Sequence, residues 1–276
     1  MHATKTSTRV SSPDEWLALL RWRNALIAGA GVSAAAWWTA GRLTGGVAVA
    51  TLAAFALTAV ANTTNDIADA EIDRVAHPER PLASGAISAV AATRFAIACS
   101  LISMVLTALV AWWLAVITAG VLAVMWTYST RLKRHGIPGN LAVAVLGSLP
   151  FFYGAAAVGQ GRKGAILVAV AAPLHFAREV AKDLDDAEAD GSTRRTLPVT
   201  RGGRTARTAV VGGLIVYAAA VALLATAFPL FALLLVPTIF LAALAARRLY
   251  RGQTGAAGLL KAAMVVAIAA LVISAR

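Results

Sequence analysis

The chain has 276 residues, 59% of them hydrophobic and only 14% charged, with a mean hydropathy of +0.73 and a net charge of +12. Soluble domains average about 45–50% apolar and about 25% charged residues, so this composition excludes a disordered chain and an ordinary soluble α/β enzyme. Cys99 is the only cysteine, which rules out an intramolecular disulfide scaffold and a cysteine metal cage.

In chain order, residues 1–23 are polar and basic and lead straight into a full apolar span, so no cleavable signal peptide is expected. Ser12-Pro13-Asp14-Glu15 reads as a helix start, with a capping serine, a proline at the first helical position and a glutamate that completes a capping box. Apolar stretches follow near 24–40, 46–64, 88–108, 110–128, 138–158, 164–182, 208–227, 229–246 and 257–275. At about 20 residues per span, they predict an all-α polytopic membrane protein with nine transmembrane helices in one domain over 1–276. Pro229 and Pro237 blur the boundaries of the seventh and eighth spans, and eight helices is the fallback count.

The basic residues set the orientation. With the N-terminus in the cytoplasm, 21 of the 25 Lys and Arg fall on the inner side, leaving only Arg42, Arg162, Lys163 and Arg276 outside. Trp37-Trp38 and Trp112-Trp113 then sit at outer boundaries, as an aromatic belt requires. A chain this basic could otherwise suggest nucleic acid, but cations that track membrane sidedness argue against such a partner.

The acids are distributed quite differently. Of 13, all but Asp14 and Glu15 lie in the windows 66–79 and 179–190, each just after the inner end of a predicted span. A carboxylate at membrane depth needs a partner or a wet cavity. Asp66, Asp69 and Asp73 have offsets of 0, 3 and 7, and Asp183, Asp186 and Asp190 repeat them, so on a helix each trio shares one face. A constant shift of 117 also pairs Ala70 with Ala187, Glu71 with Glu188, Pro81 with Pro198 and Gly85 with Gly202, an internal repeat whose halves could face each other across a cavity. Oxygen donors with no His or Cys cluster suit a hard cation such as Mg²⁺, which is usually held by carboxylates together with substrate phosphates. The neighbouring Arg74, Arg80, Arg178, Lys182, Arg194 and Arg195 suit the oxygens of a diphosphate.

Asn62-x-x-Asn65-Asp66-x-x-Asp69-x-x-x-Asp73-Arg74, followed by His77-Pro78-Glu79-Arg80-Pro81-Leu82-Ala83-Ser84-Gly85, resembles the first aspartate-rich motif of UbiA-type intramembrane prenyltransferases. Arg178-Glu179-x-x-Lys182-Asp183-x-x-Asp186-x-x-x-Asp190, with Thr196-Leu197-Pro198-Val199, resembles the second, and Tyr128-Ser129, Leu132-Lys133 and Gly139-Asn140 between them also fit. The likeness covers about residues 16–203, with the motifs at 62–85 and 178–202; the last three spans match in hydropathy alone. Ala189, where relatives often have Gly, and Trp22-Arg23-Asn24, where many have Pro before Asn, depart from the pattern.

The resemblance implies nine helices around a central cavity, in which the two motifs face each other near the cytoplasmic side. It implies one Mg²⁺ on Asn65, Asp66, Asp69 and Asp73, with Asn62 in support, and a second on Asp183, Asp186 and Asp190. Arg80, Lys133 and Lys182 would contact the diphosphate. The implied reaction transfers a prenyl group from an allylic diphosphate to a lipophilic acceptor in the bilayer, through an allylic cation kept from water. Tyr128, Phe152, Tyr153 and Phe176 are candidate aromatic faces for that cation.

The second motif most resembles members that geranylgeranylate geranylgeranylglyceryl phosphate, for whose phosphate Arg23, Arg131, Arg134, Arg194 and Arg195 offer cations. An aromatic or tetrapyrrole acceptor is the alternative within the family. Outside it, a CDP-alcohol phosphatidyltransferase would need a D-G-x-x-A-R element that neither window contains. A transporter would account for an internal repeat, but not for carboxylates and cations at metal–diphosphate spacing.

Overall fold

The computed structural model describes residues 11–130, 136–190 and 196–275, and every regular element among them is a helix. The first is α1 (Pro13–Leu20), and the capping box forms: Glu15 N–H donates to Ser12 Oγ at 3.4 Å and Ser12 N–H donates to Glu15 Oε2 at 2.7 Å. The chain turns at Arg21 and continues as α2 (Trp22–Ala40), α3 (Gly45–Ala76), α4 (Ala89–Val110), α5 (Trp112–Thr130) and α6 (Ile137–Ala156). The remainder is α7 (Gly161–Asp190), α8 (Leu197–Ala225), α9 (Pro229–Leu234), α10 (Val236–Tyr250) and α11 (Ala256–Ser274).

Among the described residues, eight segments are long and apolar enough to cross a membrane, with α9 and α10 together forming one of them. The protein is a multi-pass membrane protein. The expected span at 24–40 corresponds to α2, which has 19 residues but falls outside these eight. Arg23 and Asn24 in its first turn, and Trp37, Trp38 and Thr39 in its last, dilute its apolarity. It is nevertheless a ninth long helix, packed within the bundle against α3, α6 and α11. The expected span at 229–246 is broken near Leu235, because Pro237 has no N–H to donate and its ring crowds the carbonyl four residues back.

Two helices run well past their predicted ends. α3 has 32 residues and α7 has 30, or about 48 and 45 Å at 1.5 Å per residue, against a hydrocarbon thickness of about 30 Å. Both are longer than the apolar layer is thick, and their last turns carry the acids. Asp66 lies about 32 Å from the start of α3 and Asp183 about 33 Å from the start of α7. The internal repeat is thus also a match in depth. It extends to the backbone beyond each motif, where Gly85 (φ 77°) and Gly202 (φ 84°) both adopt the left-handed region that glycine enters without steric cost.

Packing follows the same division. One buried cluster joins α7, α8 and the last three helices, and another joins α2, α3, α5 and α6. The halves meet through Ala34, Ala35, Trp38 and Phe151, which α2 and α6 contribute to the first cluster, and α2 and α6 themselves cross closely. Gly154 sits there so close to Val32 that a Cβ on it would lie 1.9 Å from the Val32 carbonyl oxygen. Small residues at such crossings let helix backbones touch, which matters in a bilayer because helix association there relies on close packing. Large apolar side chains such as Leu101, Leu109, Ile215 and Phe240 point outward.

Candidate functional site

A cavity of about 420 Å³ opens between the two halves, and both acidic helix ends reach it. Ile27, Leu57, Leu146, Leu174 and Ile268 are among its apolar lining. The polar end is lined by Asn62, Asn65, Asp69 and Arg80 of the first window and by Lys182, Asp183 and Asp186 of the second. Tyr128, on the turn of α5 that faces them, lines it as well. Eight of the residues expected from sequence to form the site are therefore brought together.

On the first motif, the 0, 3, 7 spacing does what a helix demands. Asp66, Asp69 and Asp73 are all buried, at 3%, 6% and 1% exposure. Three carboxylates this close would repel one another unless cations intervened, and two arginines do. Arg21 Nη2 donates to Asp66 Oδ1 at 2.5 Å, and Arg80 Nη1 donates to Asp73 Oδ2 at 2.6 Å. Neither Asp66 nor Asp73 itself lines the cavity, while Arg21 and Arg80 do. The expectation of three carboxylates converging on one point is corrected accordingly. Among the described residues no group of three or more His, Cys, Asp or Glu is arranged to hold a metal ion, because the acids at either end of the face are turned to arginines.

The two arginines are held by local structure. Arg80 comes from the segment between α3 and α4, folded back by bonds from Arg80 N to His77 O at 3.0 Å and Ile87 N to Pro81 O at 2.9 Å, and anchored by buried Leu82 and Ile87. Arg21 is the only non-glycine residue with positive φ among the described residues (φ 51°, ψ 55°), a conformation that costs on the order of 1–3 kcal/mol and needs support around it. The support comes from α3, where Asn62 Nδ2 donates to the Leu20 carbonyl at 2.8 Å one turn before Asp66 takes the guanidinium. Asn62, expected in support of the first Mg²⁺, thus also has a positioning role at the turn that carries Arg21.

The second motif is arranged differently. Asp183 accepts from Asn140 Nδ2 of α6 at 3.0 Å and faces the cavity. Arg178 Nη1 donates to the adjacent Glu179. Asp185, two residues on from Asp183 and on another side of α7, accepts from the backbone of Gly255 at 3.2 Å and Ala257 at 3.4 Å, capping the start of α11. Asp185→Ala should therefore lower thermal stability in detergent by about 0.5–2 kcal/mol, the usual cost of a lost helix cap. Its effect on turnover should be far below that of losing Asp183, and an equal loss at both positions would refute this division of roles.

Other expected residues lie elsewhere. Arg23 is exposed and stacks over the Trp22 ring at 5.5 Å rather than lining the cavity, because the αL turn at Arg21 directs the start of α2 outward there. Lys133, Arg194 and the side chain of Asp190 lie outside the described residues, as do Arg131, Arg134 and Arg195. Of the candidate aromatic faces, Tyr128 and Tyr153 line the cavity, with the Tyr153 hydroxyl bonded to Thr118 at 2.8 Å. Phe152 packs against Trp113, and Phe176 lies against the α8 backbone at Gly213, so neither reaches the cavity.

Sequence reasoning missed Arg21, Asn140 as the partner of Asp183, and Lys261, a lining residue from α11. Asn140 carried a signal, since it lies in one of the family-like segments. Arg21 and Lys261 carried none beyond being inner-side cations.

The family model described as the UbiA prenyltransferase family matches residues 25–272. A digeranylgeranylglyceryl phosphate synthase of Halobacterium salinarum is 38% identical over 225 residues, covering 78% of this chain and 80% of that relative. In fold, the chain is similar to a solved structure concerned with digeranylgeranylglyceryl phosphate synthase in membranes, with a TM-score of 0.78 at 22% identity over 95% of this chain and 98% of the other. It is also similar to a UbiA homologue from Archaeoglobus fulgidus bound to GPP and Mg²⁺, with a TM-score of 0.75 at 16% identity over 94% and 98% of the two chains.

Proposed function

The chain belongs to the UbiA prenyltransferase family and is a prenyltransferase, and from that premise we propose that it moves a geranylgeranyl group from its diphosphate to geranylgeranylglyceryl phosphate, a step of ether-lipid synthesis. One observation carries the reading: acids and cations from two repeated helix ends meet at the polar end of a single, otherwise apolar cavity. The choice of acceptor follows the name of the relative from Halobacterium salinarum and the likeness of the second motif.

The donor types suit a hard divalent cation: carboxylate and amide oxygens at Asn65 and Asp69, with Asp183 and Asp186 opposite, line the polar end, and Asp66 and Asp73 would join them by exchanging Arg21 and Arg80 for the ion. The bound homologue from Archaeoglobus fulgidus supports Mg²⁺, and we assign one ion to each motif, with Asp190 completing the second. When bound, Mg²⁺ would neutralise charge developing on the diphosphate as it leaves.

The chain's own residues do the rest. Arg80 and Lys182 present fixed charge to the diphosphate oxygens from the two motifs. The allylic C1–O bond breaks with its electron pair going to diphosphate, and an oxygen lone pair of the acceptor hydroxyl forms the new C–O bond, releasing the hydroxyl proton. Between these events the allylic cation lies against the apolar wall and the faces of Tyr128 and Tyr153, which exclude water and offer π density. The basic surplus on one side, with 21 cations against four, supports placing the N-terminus and both motifs at the cytoplasmic face.

The experiment is an acceptor panel with geranylgeranyl diphosphate: geranylgeranylglyceryl phosphate, 4-hydroxybenzoate, homogentisate and a chlorophyllide, each with Mg²⁺ and with chelator. Turnover is expected with the first acceptor alone, and only with Mg²⁺. Preferred use of an aromatic or chlorophyllide acceptor would overturn the acceptor assignment, and full activity in chelator would overturn the metal assignment.

A further inference from the structure

Lys261 is the only charged side chain on α11, a helix that otherwise lines the cavity with Met264, Val265 and Ile268. Among the described residues it has no hydrogen-bond or ion-pair partner. An ammonium group on an apolar span is unfavourable unless it reaches an interface, a partner or a wet cavity, and this one, exposed in the second turn of α11, borders the cavity.

Its position is set by Asp185. That carboxylate holds the backbone of Gly255 and Ala257, pinning the start of α11 to α7. From the pin both helices go on to line the cavity, α11 with Ile268 and Leu271 and α7 with Leu174 and Leu167, so they run antiparallel. Lys261 then lies about 6–9 Å along α11 and Arg178 about 10 Å back along α7, at 1.5 Å per residue. The two cations therefore enter the cavity at similar depth from neighbouring helices.

Arg178 has capacity to spare. One of its terminal nitrogens is bonded to Glu179, but its buried Nε–H has no hydrogen-bond partner among the described residues. A buried donor without an acceptor is costly unless a ligand supplies one. Arg21 and Arg80, paired with Asp66 and Asp73, enter the cavity from the first-motif side. Lys261 and Arg178 form a separate pair of donors, at the α7–α11 edge.

We infer that Lys261, with Arg178, forms a second anion subsite that receives the phosphate of the acceptor lipid, and that Lys261 is the residue that selects a phosphorylated acceptor over an uncharged one. The inference rests on the proposed ether-lipid reaction, and it assigns to α11 a part in substrate choice that the two acidic motifs do not have. With the acceptor phosphate held here and the donor diphosphate between the motifs, the two anions occupy different edges of one cavity.

The test uses the full chain in detergent or liposomes, with Lys261→Met and Lys261→Arg. Steady-state kinetics are measured for geranylgeranylglyceryl phosphate, for its unphosphorylated glycerol ether and for geranylgeranyl diphosphate. Lys261→Met should raise KM for the phosphorylated acceptor about 10–100-fold, the range for losing a charge-assisted bond, and erase the preference over the uncharged ether. KM for the diphosphate should stay within about twofold, and Lys261→Arg should restore most of the preference. An unchanged preference in Lys261→Met, or equal rises in both KM values, would overturn the subsite while leaving the reaction intact. A wild-type protein that ignores the phosphorylated acceptor and prenylates another would overturn the reaction assignment first, and the subsite with it.

Discussion

Asp183→Asn is expected to lower prenyl transfer by about 10²–10³-fold, the usual cost of removing one preorganised electrostatic contact from a reacting site, with little loss of folded protein. The substitution keeps the size of the side chain and a carbonyl oxygen able to accept the Asn140 amide at 3.0 Å. What it removes is negative charge at the polar end of the cavity. Asp69→Asn should act similarly, because Asp69 lines the same end from α3. Asp185→Ala supplies the contrast, as its carboxylate holds the start of α11 and lies off the cavity lining. Initial rates with geranylgeranyl diphosphate, alongside thermal unfolding in detergent, separate the cases. Near-normal rates in Asp183→Asn would refute the role of the second motif.

Gly154→Ala should have the largest effect on the fold. Its new Cβ would lie 1.9 Å from the Val32 carbonyl oxygen and 2.7 Å from the carbonyl carbon, so no side-chain rotation can relieve the clash. Either α2 or α6 must move, and the expected cost is about 3 kcal/mol, at the upper end for overpacking. Because α2 also carries cavity residues such as Asn24 and Ile27, substrate binding should weaken along with stability. Gly120→Ala is the control, since a Cβ there meets nothing within 4 Å; it should be neutral or slightly stabilising, as alanine favours helix over glycine. Thermal unfolding in detergent reads both. A Gly154→Ala protein as stable as the wild type would show that the α2–α6 contact can relax.

Much of the site was legible because its code is local. The offsets of Asp66, Asp69 and Asp73 place them on one helical face, and all three are buried together. The shift of 117 that pairs Gly85 with Gly202 in sequence also pairs their left-handed backbones. Other features depend on contacts between distant segments, for which sequence holds no signal. Nothing near Asp66 announces that Arg21, 45 residues earlier, occupies its carboxylate, or that Asp185 reaches 70 residues ahead to Gly255. The same limit affected Arg23, which a tally of cations offers to a substrate phosphate and which the turn at Arg21 sends to Trp22 instead.

Composition and periodicity by themselves determined that this is a helical membrane protein, that its scarce acids form two matched motifs, and that oxygen ligands and basic neighbours suit Mg²⁺ and a diphosphate. These are consequences of residue type and helical pitch, both fixed along the chain. Only the tertiary structure decided which acids face the cavity and which are tied to arginines or to a helix start. It also decided that α2 packs inside the bundle against α3, α6 and α11, and that Lys261 borders the cavity. Each of these depends on which helices lie side by side and at what depth, and that is settled only by packing between segments far apart in the chain.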